Sequence, residues 1–191
     1  MNSAFLHNQY LLKRQMFALA GKFRFFDPSG KLVLFSEQKM FKLREDIRVY
    51  SDESKTQEVL TIKARQIMDF SAAYDVVDSA TSQKVGALRR KGLASILRDE
   101  WEILDVNDIV VGKLFEDSMG LALLRRFLSG LIPQNYDITF GTNRVADLKQ
   151  AFNPFSYQLN IDFSMDTNKQ LDRRLGLAAG ILLAAVEGRQ S

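Results

Sequence analysis

Between positions 84 and 98 the chain reads KVGALRRKGLASILR and carries Lys84, Arg89, Arg90, Lys91 and Arg98. The chemistry open to such a cluster is anion recognition. Guanidinium and ammonium groups donate charge-assisted hydrogen bonds to phosphate or carboxylate. In LRRKG three adjacent cations and a glycine end a strand, where they could meet lipid phosphate. Attraction of that kind contributes about 1 kcal/mol per cation near an anionic membrane. The competing reading is a solvated loop, or Arg90 and Arg98 paired with Asp99 and Glu100. These five cations are the candidate ligand-binding residues.

Other chemistry has few carriers. His7 is the single histidine and there is no cysteine, so a zinc site has too few ligands and no thiolate nucleophile exists. No G-x-S-x-G, P-loop or dinucleotide glycine pattern occurs. A Ser-His-Asp triad would have to recruit His7, and nothing in its neighbourhood positions it. Asp78 and Asp105 read more simply as turn residues. The expectation is therefore a protein without catalysis, cofactor or metal.

The formal charge of +3 is mild and the charged residues are interleaved. A nucleic-acid binder would concentrate its cations on one face. A pI near 9.1 still allows weak attraction to anionic surfaces. Absence of cysteine fits a reducing compartment. The amino terminus has no basic region before an apolar stretch. The default location is the cytoplasm, with a peripheral position at a membrane consistent with the basic cluster.

The elements that must position these cations are short strands. In KFRFFDPSGKLVLFSE, two apolar runs flank Asp27-Pro28-Ser29-Gly30. Proline presets φ for a turn and glycine accepts positive φ, so this is a hairpin. The same phrase returns: Phe23 to Asp27, Tyr74 to Asp78 and Trp101 to Asp105 share one spacing, and Gly86 and Gly112 hold matching places on the return. YDITFGTNRVADL keeps Tyr136 without the aspartate. Strand alternation puts Tyr74 with Val76, and Trp101 with Ile103, on one face. The glycines predict bulges or close backbone approach. Further strands are expected at 10–18, 40–50, 57–63, 65–71 and 157–163.

Two segments depart from this pattern. SMGLALLRRFLSGL (118–131) has helical spacing. The carboxyl-terminal run from Leu175 to Val186 has no polar or charged side chain, and Thr167 with Gln170 predicts a capping box before it. A helix apolar all round must be covered all round. At well under the roughly 20 residues of a membrane span, it is expected inside the protein. Gly176, Gly180 and Ala184 form a smooth stripe that lets neighbouring backbone come close. Strands closed into a barrel around this helix would cover both the sheet's apolar face and the helix.

FRFFDPSGKLVLFSEQKMFKLREDIRVY, with LRRKGLASILRDEWEILD as the most specific part, resembles the LURP-one-related family. That family belongs to the Tubby C-terminal-like superfamily, together with the phospholipid scramblases. The resemblance spans roughly residues 15–188. It implies a single domain over 1–191, mainly β: a closed antiparallel barrel of about twelve strands around a central hydrophobic helix. Function does not follow from fold. The cysteines and proline-rich region of scramblases are missing. A calcium loop at DVNDIVVGKLFE would place Asp105, Asn107 and Glu116 at positions 1, 3 and 12. Ile109 and Val110 then stand where a ligand and a glycine are needed. The expected partner is an anionic membrane lipid or phosphorylated ligand, or alternatively an unidentified protein; no nucleic acid and no transmembrane span are expected.

Overall fold

The computed structural model describes residues 2–15, 20–39, 46–65, 72–91, 100–116, 133–153 and 155–187. Its strands are β1 (Gln9–Gln15), β2 (Ala20–Phe26), β3 (Leu32–Lys39), β4 (Ile47–Tyr50), β5 (Glu58–Ala64) and β6 (Ala73–Asp78). They continue with β7 (Lys84–Arg90), β8 (Glu100–Leu104), β9 (Val110–Glu116), β10 (Asn135–Phe140), β11 (Asn143–Ala151) and β12 (Ser156–Asp162). One helix follows, α1 (Arg173–Glu187). Each strand pairs antiparallel with its chain neighbours, and β1 pairs with β12 to close the barrel. Closure leaves no unpaired edge. The expected helix at 118–131, nearly all of the expected strand at 65–71, and Arg98 lie outside the described residues.

The repeated phrase is a repeated hairpin with a built-in irregularity. In β2–β3, β4–β5, β6–β7, β8–β9 and β10–β11 the register shifts by one residue. The residues skipped are Val33, Val59, Val85, Val111 and Val145, and the first four stand 26 positions apart. Such a bulge bends the strand and increases its twist, which a closing sheet requires. Gly86 and Gly112 follow two of these valines, as the sequence predicts. A methyl at Gly86 would lie 2.4 Å from the Leu104 carbonyl oxygen, and one at Gly112 2.7 Å from that of Thr139. Both glycines are places of close backbone approach.

The turn aspartates perform one task. Asp27 accepts from the Ser29 and Lys31 amides, Asp52 from Ser54, Asp78 from Ala80 and Thr81, and Asp105 from Asn107 and Ile109. These side chains take the place of backbone acceptors in the turn. The β4–β5 copy escapes the aromatic spacing because Arg48 stands four residues before Asp52. Phe23, Tyr74, Trp101 and Tyr136 are all buried on the inner face.

Helix α1 fills the barrel, and from Leu175 to Ala185 every residue is buried. Its small stripe receives side chains rather than backbone. A methyl at Gly176 would come 2.4 Å from the Phe163 ring, and one at Gly180 2.8 Å from Ile161 Cδ1. In the opposite sense Gly86 on β7 makes room for Leu175 of the helix. The expected capping box does not form, because the helix starts later. Asp172 is the cap and accepts from the Arg174 amide at 2.9 Å. Asp166 instead orders the preceding turn, accepting from the Gln170 and Leu171 amides and from Arg173 at 2.8 Å. Arg174 bonds Asp172 and Asp78, each at 2.6 Å, tying the helix start to the β6–β7 turn. At the far end Arg14 of β1 is buried and donates to the Ala184 carbonyl at 3.1 Å. A cation there complements the partial negative charge of a helix carboxyl terminus.

Gly86→Val, Gly112→Val and Gly180→Leu are each expected to lower stability by about 1–3 kcal/mol through overpacking. Thermal melts check this, and the two hairpin glycines should give similar losses. A chain ending at Thr167 is expected to be molten or insoluble; cooperative melting of it would show that the barrel stands unfilled.

Acid should loosen the turns. The Ser29 and Ser54 hydroxyls lead in holding Asp27 and Asp52 below the usual carboxylate range. Burial alone would raise Asp78, but the Thr81 amide and Arg174 outweigh it and lower it. A carboxylate depressed on folding contributes stability above its unfolded pKa of about 3.9 and loses it as pH falls through the folded value. Midpoints measured against pH should therefore fall below about pH 4. Asp78→Asn should flatten part of that fall while lowering the midpoint at neutral pH.

Candidate functional site

Strand alternation divides the basic cluster. Arg90 lies opposite Trp101, on the face that is buried, and the Arg90 Nε is itself buried. Arg89 and Lys91 project outward from the end of β7. Arg89 reaches Glu102 of β8 at 2.6 Å, and Lys91 reaches Glu100 at 2.9 Å and Glu102 at 3.6 Å. Lys113 of β9, directly opposite Glu102 in the ladder, approaches Glu100 at 3.7 Å. Three cations thus share two carboxylates on the outer face of β7–β9. The Glu100 hydrogen bond raises the Lys91 pKa above the usual lysine value, so Lys91 stays charged at neutral pH.

The layering of this group matters more than its count. The side chains of Lys113, Arg89 and Lys91 are 52%, 40% and 33% exposed, whereas those of Glu100 and Glu102 are 26% and 14% exposed. The carboxylates form the floor and the cations the outer layer. Such an arrangement fixes the cations while leaving donor capacity toward solvent, suited to meeting an anionic group from outside.

Lys84 belongs to another network. It begins β7, some seven residues or roughly 23 Å along the strand from Lys91. Lys84 contacts Asp108 at 2.7 Å and Asp75 at 3.4 Å, and Arg65 joins both acids. Hydrogen bonds from Arg65 and then Lys84 lower the Asp108 pKa, and Arg65 is raised above its already high value, first by Asp75 and then by Asp108. Two cations balance two acids, which is a neutral clasp. The structure therefore brings Arg89 and Lys91 together, turns Arg90 inward and sets Lys84 apart.

Sequence spacing missed Lys113 and Glu102 as members of the group and named Glu100 only as a partner of Arg90 and Arg98, where the structure brings it to Lys91 and Lys113. The signal was present, because aligning the hairpins opposes Glu102 to Lys113, and alternation puts Arg89 and Lys91 on the same side. The calcium-loop offsets dissolve in the structure. Asp105 is spent on turn amides, while Glu116 is a buried residue at the opposite end of β9. His7 packs edge-on against the Tyr10 ring, with centroids 5.7 Å apart. Among the described residues no three histidine, aspartate or glutamate side chains gather closely enough to hold a metal ion. Nor is any helix of the described residues long and apolar enough to cross a membrane.

A crystal structure of a protein from Arabidopsis thaliana is similar to the chain at 13% identity and a TM-score of 0.49, covering 94% of this chain and 91% of that one. No curated protein matches the chain. The family model for LURP-one-related proteins matches residues 32–184. That match takes in β3 through most of α1, including the outward cations of β7–β9 and the lumen-filling helix, and the chain belongs to the LURP-one-related family.

Proposed function

We propose that this barrel is a non-catalytic binding domain that meets anionic phospholipid, or another phosphorylated ligand, through Arg89, Lys91 and Lys113. The observation that carries the reading is the layering of three exposed cations over two more buried carboxylates. The helix fills the lumen, so a ligand reaches side chains on the outside of the barrel. Because Glu100 and Glu102 cancel much of the charge, the attraction is weaker than the simple sum of about 1 kcal/mol per cation. Binding should be weak and salt-sensitive, since exposed charges are screened over about 8 Å at physiological ionic strength.

Sedimentation with vesicles of phosphatidylcholine containing phosphatidylserine or a phosphoinositide, at low and physiological salt, tests the reading. Arg89→Glu with Lys91→Glu is expected to remove low-salt binding by about tenfold or more. Charge reversal sets two more carboxylates beside Glu100 and Glu102 and will itself lower the melt. Arg89→Gln with Lys91→Gln, which removes the cations without adding repulsion, is therefore compared alongside and should lose binding likewise. Arg90→Glu differs: it would put a carboxylate on the Trp101 face and is expected to destabilise the fold. Glu100→Gln with Glu102→Gln should tighten vesicle binding by removing the negative charge that offsets the cations. No sedimentation of the unaltered protein at low salt would sink the lipid reading. The alternative, a domain that binds a partner chain, would then lead.

A further inference from the structure

Two large apolar side chains stand in solvent where β11 passes to β12. Phe152 is 59% exposed and Phe155 78%. The Asn153 side chain accepts from the Phe155 and Ser156 amides at 2.9 and 3.0 Å, which orders the backbone where β12 begins.

The size of the patch limits what can cover it. A fully covered aromatic buries 150–250 Å², so two rings exposed to this extent offer about 200–300 Å². A specific protein partner takes about 800 Å² on each side. A membrane needs no matching surface, and rings at a projecting turn enter the headgroup layer one by one. Lys13 of β1 lies opposite Gln158 of β12, but its ammonium sits 5.2 Å from the ring centroid of Phe26, which pairs with Leu11, so this charge leans away from the turn.

Topology adds the decisive point. Every neighbouring pair in the closed barrel is antiparallel, so β7 and β11 run toward the same end. The Phe152–Phe155 turn and the Arg89–Lys91 cations therefore share one end. At the opposite end Leu6, Val106, Ile109 and Val110 are also exposed, but there the clasp of Lys84, Arg65, Asp75 and Asp108 is neutral and supplies no net positive charge.

We infer that Phe152 and Phe155 are an apolar foot that enters an anionic bilayer and stands the barrel end-on, with the Arg89–Lys91 end toward the lipid. The inference rests on the lipid reading and adds the orientation and an insertion that salt does not screen. The foot holds the protein at physiological salt, and the cations bring it there.

Fluorescence reporters at the two ends test it in the full chain, with vesicles of phosphatidylserine and phosphatidylcholine carrying brominated acyl chains. Native Trp101 is buried and gives a constant background. Emission of the Phe155→Trp protein should shift to the blue and be quenched on vesicle addition, while that of Ile109→Trp should not change. Phe152→Ser with Phe155→Ser should lower binding at physiological salt by about tenfold or more and leave the melt unchanged. Sedimentation without shift or quenching in Phe155→Trp overturns the foot and leaves the cation reading standing. Quenching confined to Ile109→Trp overturns the orientation. No sedimentation at low salt overturns both readings. Self-association that the double serine variant abolishes, with no quenching of Phe155→Trp, gives the patch to a second copy instead.

Discussion

A helix with no polar side chain between Leu175 and Ala185 must be covered on every side, and the rest of the molecule is arranged around that requirement. A flat sheet covers one side only; a closed sheet covers all. The fit is reciprocal, with helix glycines admitting Phe163 and Ile161, and a strand glycine admitting Leu175. Apolar packing alone would leave the helix free to slide along the lumen. Polar contacts at both ends oppose this: Asp166 and Asp78 hold Arg173 and Arg174 at the start, and Arg14 holds the Ala184 carbonyl near the finish. Burial lowers the Arg14 pKa, a cost that the helix terminus partly offsets.

Much of this was legible in the sequence because the patterns are local. The aromatic-to-aspartate spacing read out three hairpins, and the apolar run read out the lumen helix. Two things were hidden. The capping box at Thr167 and Gln170 was a correct motif in the wrong turn; Asp166, six residues before Asp172, had already claimed the amides that a helix start there would use. The hairpin at Asp52 lacked its aromatic and so lacked its flag, although Val59 keeps the 26-residue interval of Val33, Val85 and Val111. A bulge is a backbone event, and one valine among many does not announce it.

The candidate site was legible as a composition and illegible as a surface. Five cations close in sequence suggested one basic patch. A strand turns adjacent residues to opposite faces, so Arg89 and Arg90 part company, while Lys113 arrives from a different strand. Whether acids lie above or beneath the cations depends on side-chain depth, which no spacing encodes. It is that depth, with Glu102 more buried than Arg89, that puts the cations outermost on β7–β9.

The lumen is filled by an element that follows all twelve strands in the chain. While the chain emerges from the ribosome, the staves exist before the part that fills them. Strand β1 meanwhile waits for β12, since Tyr10 pairs with Ile161. Neither closure nor filling can occur until β12 and α1 have emerged, so the barrel is committed only once its last two elements are free. Until then the open sheet has two unpaired edges and an uncovered apolar face, the condition in which a chain is most exposed to aggregation and most in need of a chaperone. The closed barrel is thus safe from edge-to-edge association only as a finished object, and its vulnerable period is set by the position of its helix in the chain.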